Sequence, residues 1–431
     1  MTYQEALAYL DGLNVFGVRL GLARIERLLA LLGEPQKKYR TIHVTGTNGK
    51  GSATAMLAEI LAQSGVRAGM YTSPHLVSYT ERIQIGGQPV SEADFAECIF
   101  EVKAAVDRML AEGEECPTQF EVLTAAAFFH FANAAVEYAV IEVGLGGLLD
   151  STNVIVPEIC VITNVTLEHA DRCGGTLEGV ATHKAGIIKE GVPVVTAAKG
   201  ETLEIIRRTA EEKNADVFVY QEDFSAAFEG VEDYRQKLHF SSNLLAAGLD
   251  YRLSLLGQFQ IENSALAVMT ALLLAHAETR VTPEAIARAL AAVTWPGRFE
   301  LVCDGARCTV IDGAHNLAGA LALRKNLDLY FEHRPIVFLF GVLRDKAVDE
   351  MVRALFREED EIVVTEPDSG RAAQALDVAA RIPAGRVEAC ASLEAAVARA
   401  LVLAGEDKVL CAAGSLYLIG AVRETLLHRG G

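Results

Sequence analysis

The sequence predicts an α/β protein of two domains, a larger parallel-sheet domain over residues 1–296 and a smaller one of the same class over 297–431. Three observations predict it. Short Val- and Ile-rich runs alternate with alanine-rich runs of helical spacing, the pattern of βαβ units. A glycine-rich stretch, HVTGTNGKGS at 43–52, lies between a strand pattern and a helix pattern. The alternation breaks at TWPG, 294–297, where Pro296 and Gly297 end a helix, and then restarts.

Taken in order, the strand candidates of the first domain are 41–46, 67–73, 138–144, 158–165 and 192–198, each short and β-branched. Helical patterns fall at 52–65, 91–113 and 118–137. Strands joined by helices make a parallel sheet, because a parallel connection needs a long crossover. RIQIGGQPVS reads as a small hairpin turning at Gly86-Gly87. Further helices are expected at 262–277 and 282–293, the second opened by Thr282, Pro283 and Glu284. In the second domain CTVIDGAH, PIVFLFGVL, EIVVTEP, RVEACAS and KVLCAAGSLYLIG carry the strands, with a helix between each and the next.

With 51% hydrophobic and 22% charged residues, the chain has ample material for large cores. Its net charge of −18 disfavours a general nucleic-acid binder or a protein of anionic membranes. No signal-peptide pattern opens the sequence and no apolar run reaches membrane-spanning length; AAAFFHFANAAVEYAVIEVG is interrupted by His130, Asn133 and Glu137. The eight cysteines are scattered without a CxxC pair, which predicts reduced thiols and a cytoplasmic protein.

Strand, glycine turn, helix is the setting in which backbone N–H groups and a helix N-terminus bind an anion. In the loop Gly46-Thr47-Asn48-Gly49-Lys50-Gly51-Ser52 the glycines allow close approach to phosphate oxygens. Lys50 is placed for the β and γ phosphates, and Ser52 has the type and position of a Mg2+-ligating hydroxyl. The alternative is a plain turn with Ser52 as an N-cap, and the concentration of glycine and lysine argues against it. The common P-loop has a glycine where Val44 stands and a Ser or Thr where Gly51 stands, so this loop is a shorter variant. The first domain is therefore read as a P-loop-type ATPase. At the ends of its other strands lie Ser73, Glu142 and His169. Glu142, a carboxylate in an apolar strand run, needs a partner if buried. Arg298, just past the domain break, is read as a group that reaches the nucleotide when the domains close.

HVTGTNGKGS, together with FGVRLGLARIERLLALLGEPQ, YTSPHLVSYTERI, FEVLTAAAFFHF, EVGLGG, KAGIIK, WPGRFE, DGAHN, GVLRDK and GSLYLIG, resembles the folylpolyglutamate synthase/dihydrofolate synthase family of the Mur-ligase superfamily. The resemblance spans nearly the whole chain. It implies Mur-ligase architecture, with a C-terminal Rossmann-like glutamate-ligase domain. It also implies ATP-dependent addition of L-glutamate to reduced folates, and to dihydropteroate, by way of an acyl phosphate. Matched residue by residue, it gives Ser73, Glu142 and His169 to a second Mg2+, with Ser52 on the first. Lys184 matches a lysine that is carbamylated and helps hold metal. Asn263, Arg298 and Asp312 match nucleotide contacts, and His315 the amino-acid side of the site. Lys346 and Ser415 match the region that holds glutamate; Phe120, Glu121 and Asp150 match the pterin side. A monomer is expected. Taken alone, Asn263 would be a helix N-cap and Lys184 a solvated helix lysine.

The sequence departs from the family pattern in places. Leu148 stands where an arginine is usual, Glu168 where an aspartate precedes the histidine, DRCGG in place of a stretch ending in Leu-Gly, His183 where a glutamate precedes the lysine, and Phe259 where histidine is common. These bear on the acceptor more than on ATP. A Mur-type ligase for a different carboxylate is the nearest alternative. A nucleotide-linked cell-wall precursor would call for an extra N-terminal domain, and the ATP loop begins too early for one. A non-catalytic nucleotide-binding regulator would have lost Ser73, Glu142 and His169.

Overall fold

In the computed structural model, which describes residues 1–167, 172–304, 307–383 and 385–427, strand β1 (Arg40–Thr45) is buried at every residue after the first. A strand buried on both faces belongs inside a parallel sheet covered by helices on both sides, and that is its setting. The chain forms two compact units, Met1–Glu232 with Gln236–Ser254 and Phe259–Val293, and Thr294–Gly431 with Asp233–Arg235 and Leu255–Gln258.

The first unit opens with α1 (Tyr3–Gly12) and α2 (Ala23–Leu31), then β1, α3 (Lys50–Gln63), β2 (Ala68–Tyr71), β3 (Ile83–Ile85) and β4 (Gln88–Pro89). It continues through α4 (Glu92–Ala111), α5 (Gln119–Asn133), β5 (Tyr138–Glu142), β6 (Ile159–Ile162), α6 (Leu177–Ala185), β7 (Val194–Thr196), α7 (Glu201–Glu212) and β8 (Val217–Val219). These strands form one sheet in the order β4-β3-β2-β5-β1-β6-β7-β8. The pairs from β2 to β8 are parallel, and β3 and β4 add an antiparallel edge. Gly86 and Gly87 both have positive φ, as the tight turn between β3 and β4 requires. Side chains of α4 and α5, with Phe95, Phe128 and Phe131 fully buried, fill one core; Ile187, Val194 and Ile206 belong to another.

A three-stranded antiparallel sheet follows, β9 (Phe224–Glu232), β10 (Arg235–Ser242) and β11 (Leu245–Leu253), in the order β11-β10-β9. No element was expected there, although β10 alternates, burying Gln236, Leu238 and Phe240. Helices α8 (Gln258–Leu274) and α9 (Pro283–Ala292) come next, the latter capped by Thr282 as predicted.

The second unit contains β12 (Glu300–Asp304), β13 (Arg307–Ile311), α10 (Leu317–Tyr330), β14 (Ile336–Phe340), α11 (Val348–Leu355), β15 (Glu361–Val364), α12 (Ala375–Ala379), β16 (Arg386–Ala389), α13 (Leu393–Ala404), β17 (Val409–Ala413) and α14 (Leu416–Leu427). Its sheet runs β12-β13-β17-β14-β15-β16, parallel except for the antiparallel edge strand β12. Among the described residues no helix is long and apolar enough to cross a membrane.

Candidate active site

In the first sheet, β1 is flanked by β5 and β6, and the chain leaves it toward opposite sides. Such a switch point opens a crevice at the carboxyl ends of the strands, where α/β proteins bind ligands. The loop 46–52 follows β1 at that crevice. Gly49, with φ +85, is the N-cap of α3, so Ser52 lies within the first turn and is not the N-cap of the plain-turn alternative. The opening amides of a helix have no carbonyl within it to pair with and carry its positive end.

The loop is clamped from the end of β6. The Thr47 amide donates to the Asn164 carbonyl at 2.8 Å and the Asn48 amide to Asn164 Oδ1 at 2.9 Å. Thr163 Oγ1 donates to the Asn48 carbonyl at 2.6 Å, and Thr47 Oγ1 accepts the Thr166 amide at 3.0 Å. A Cβ at Gly46 would lie 1.8 Å from Thr163 Oγ1. The glycine there is a packing requirement as well as a conformational one.

Two lysines meet at this loop. Lys50 Nζ donates to the carbonyls of Gly46 and Thr47 at 3.1 and 3.2 Å. Lys184, near the end of α6, donates to the same Gly46 oxygen at 2.7 Å and is 5% exposed. It is a buried residue of the loop region, which overturns the solvated-lysine alternative. Asn263 lies within α8 rather than at its start, which removes the N-cap alternative. Its side chain presses on the loop: a Cβ at Gly49 would come within 2.2 Å of Asn263 Oδ1. Asn263 Nδ2 donates to Gln260 Oε1 at 3.0 Å, and Gln260 Nε2 donates to Ser52 Oγ at 3.1 Å. Gln260 thus orients the Ser52 hydroxyl. Sequence reading missed it, because in QFQIEN nothing sets Gln260 apart from Gln258, Glu262 and Asn263.

Glu142 closes β5, nearly buried, and its Oε2 accepts the Ser73 amide at 3.1 Å. Hydroxyl and carboxylate oxygens are the donors Mg2+ takes, so Ser52, Ser73 and Glu142 fit the ion by chemistry. His169 and Glu168 lie outside the described residues. Phe120 stands over Gly144, where a Cβ would come within 2.4 Å of its ring.

Glu121 and Asp150 are occupied differently. Glu121 Oε2 accepts the Thr118 amide at 2.6 Å in a capping box, and the buried carboxylate pairs with Arg24. Asp150 accepts the amides of Leu145 and Thr152 and the Thr152 hydroxyl, fixing the GLGG turn. Burial raises its pKa, and these hydrogen bonds oppose the rise. Because Thr152 Oγ1 spends its proton on Asp150, it accepts from His43 Nε2 at 2.9 Å. That leaves His43 Nδ1 buried and without a hydrogen-bond partner among the described residues. Two departures from the family pattern prove to be neighbours: the Leu148 amide donates to the His183 carbonyl at 2.7 Å. The Leu148 side chain fills the space a side chain on Gly186 would take. Phe259 is exposed.

In the second sheet, β17 separates β13 from β14 and creates a switch point of its own. Asp312 follows β13, buried, its two oxygens accepting the Phe299 and Ala314 amides at 2.8 Å each. Burial raises its pKa, while Arg298 and those amides oppose the rise. His315 Nδ1 donates to the Gly313 carbonyl at 2.7 Å, so the neutral ring carries its lone pair on Nε2. Asn316 caps α10. Ser415 lies beside this group: the Gly414 amide donates to the Ala314 carbonyl at 3.0 Å, and Ser415 Oγ accepts the Tyr417 amide. Lys346, after β14, pairs with Asp345 at 3.2 Å. Arg298, Asp312, His315 and Ser415 are brought together; among the described residues the ion pair of Lys346 is with Asp345 and not with any of them.

Two α/β units, the first with a short glycine-lysine loop at its switch point, define an ATP-dependent amide-forming ligase of the Mur type. Residues 44–271 match the Mur ligase middle domain and 297–416 the Mur ligase glutamate ligase domain. The dihydrofolate synthase/folylpolyglutamate synthase of Bacillus subtilis is 34% identical, over 98% of this chain and 99% of its own. The folylpolyglutamate synthase of Lacticaseibacillus casei is 36% identical, with 99% of each chain covered. Among solved structures, the folylpolyglutamate synthase of Thermotoga maritima aligns with a TM-score of 0.87 at 33% identity, covering 99% of this chain and 96% of its own. That of Mycobacterium tuberculosis, complexed with ADP and AMPPCP, gives 0.86 at 33% with 98% of each covered. An E. coli protein in complex with DHPP and ADP gives 0.84 at 27%, over 100% of this chain and 99% of its own. The chain belongs to the folylpolyglutamate synthase/dihydrofolate synthase family of Mur ligases.

Proposed function

We propose that this enzyme adds L-glutamate to reduced folates and to dihydropteroate, through an acyl phosphate. The observation that carries the reading is Lys50, lying over the Gly46 and Thr47 carbonyls of the glycine loop beside the positive end of α3. A helix N-terminus with a lysine beside it is a site for a polyphosphate. A carboxylate is a poor electrophile. Its oxygen attacks the γ phosphorus of ATP, the bond to the β-phosphate oxygen breaks, and ADP leaves. The amine of glutamate then attacks the acyl carbon, and phosphate leaves with the C–O electrons.

Lys50 neutralises the phosphates, and the loop amides and Asn263 position them. Mg2+ when bound draws charge from the phosphate oxygens; Ser52 would hold one ion, and Ser73, Glu142 and His169 a second. Lys184 is assigned as a carbamylated residue supporting the metals, an assignment that labelled bicarbonate and carbon NMR test directly. Arg298 and Asp312 are assigned to the nucleotide. His315 offers Nε2 to an N–H of the incoming amine, and Lys346 and Ser415 receive the carboxylates of glutamate. Phe120 is assigned to the pterin, with Glu121 and Asp150 as positioning residues because their oxygens are already engaged. The eight cysteines are free thiols, in keeping with a cytoplasmic protein, and we assign it as a monomer.

The test is product analysis. Enzyme, ATP, Mg2+ and L-glutamate are incubated with dihydropteroate or tetrahydrofolate, and the pterin is weighed by mass spectrometry. The expected product carries one added glutamyl residue. Unchanged pterins, from protein that still binds ATP, would point to another carboxylate.

A further inference from the structure

The second unit carries a pair of thiols that the ligase chemistry leaves unused. Cys303 on β12 and Cys308 on β13 are directly opposite one another in the antiparallel register. Their sulfurs are 2.8 Å apart. Opposed residues in such a ladder have Cα atoms about 4.5–5.5 Å apart, within the roughly 4.4–6.8 Å that a disulfide spans. Cys303 is exposed and Cys308 buried. Strand β12 is the edge of its sheet, so the outer thiol is open to a small reagent while the inner one is held behind it.

We propose that Cys303 and Cys308 are a modification site, a cross-strand dithiol that low-molecular-weight disulfides oxidise to an intrachain disulfide. The Cys303 thiol, its pKa pushed up to about 12 by burial and the neighbouring Cys308, gives its proton to a solvent base and attacks one sulfur of the small disulfide, whose S–S bond breaks and releases one thiol. A mixed disulfide remains on Cys303. The Cys308 thiolate attacks the Cys303 sulfur, and the second small thiol leaves. Two electrons pass from the protein dithiol to the small disulfide, and the two protons end on the released thiols. The product fastens edge strand β12 to β13. The Phe299 amide, just before β12, and Asp312, just after β13, are joined by a 2.8 Å hydrogen bond. The bond therefore stiffens the frame around Asp312 without touching it.

The sequence supplies a clean test. Trypsin cuts after Arg298, Arg307 and Arg324, so Cys303 and Cys308 fall on separate peptides, 299–307 and 308–324. The folded full-length protein is treated with oxidised glutathione, remaining thiols are blocked with iodoacetamide, and the digest is run without reductant. The expected result is the two peptides joined as one species that dithiothreitol separates, with two of the eight thiols lost to alkylation. In the Cys308→Ser variant, glutathione is expected to stay on Cys303. Peptides recovered separately with both cysteines alkylated, or with glutathione retained on Cys303 of the unsubstituted protein, would overturn the proposal.

Discussion

Lys50 and Lys184, far apart in the chain, donate to one acceptor, the carbonyl oxygen of Gly46, at 3.1 and 2.7 Å. One comes from the first turn of α3 and the other from the last turn of α6. The shared oxygen brings the start of α3 and the end of α6 together at the loop.

Lys50→Ala removes the charge at the loop and leaves its clamp to Thr163 and Asn164 intact. Turnover is expected to fall on the order of 10^3-fold, the scale of losing a preorganised charge partner. The circular dichroism spectrum and melting curve are expected to stay close to those of the parent. Near-normal turnover would show that the loop does not hold the phosphates.

Gly49→Ala meets two obstacles, a φ of +85 and a contact of 2.2 Å with Asn263 Oδ1. Strain in the left-handed region costs about 1–3 kcal/mol, and displacing Asn263 disturbs the contact proposed for the nucleotide. Gly65 also has positive φ, but nothing lies near its Cβ. Gly65→Ala is therefore expected to lower the denaturation midpoint without changing ATP affinity. Gly49→Ala is expected to lower both. Titration calorimetry with an ATP analogue separates the two.

His43 gives the fold a pH dependence. Burial and Lys189 lower its pKa from 6.5 to about 3. Between those values the unfolded chain binds a proton that the folded chain refuses. Stability is therefore full above the unfolded value and is lost as pH falls through the window, at up to about 1.4 kcal/mol per pH unit. His75, lowered to about 4 by burial and Arg82, acts in the same direction. Urea denaturation from pH 7 to 4 is expected to be less steep in pH for His43→Asn than for the parent; an identical slope would count against this account of His43.

Leu148→Arg restores the residue usual in the family. The Leu148 backbone is fixed by its bond to the His183 carbonyl, while the side chain is 39% exposed, so the variant is expected to fold. Its KM for the pterin is expected to change by about tenfold, the worth of one charge-assisted hydrogen bond, with the KM for ATP unchanged. An unaltered pterin KM would place Leu148 outside the pocket.

The parallel strands and the glycine-lysine loop were legible because their signals are local: β-branched runs, a helix start, glycines beside a lysine. The sheet β9–β11 was not, since its strands are half-exposed and only Leu238, Phe240 and a few neighbours mark the buried face. Contacts between distant segments were invisible. Nothing in the order of residues says that Gln260 orients Ser52, or that Leu148 and His183 touch. Glu121 and Asp150 stood out only through the family resemblance, as positions on the pterin side, and nothing in the sequence marks them as buried. Only the structure shows that backbone amides and Arg24 already occupy their oxygens.

The most direct test is phosphate release from ATP by purified enzyme with Mg2+ and L-glutamate, in parallel with dihydropteroate, with tetrahydrofolate and with no pterin. The account predicts release with each pterin, none without one, and none when glutamate is omitted. Release independent of the pterin, or no release in any arm from protein that binds ATP, would contradict it.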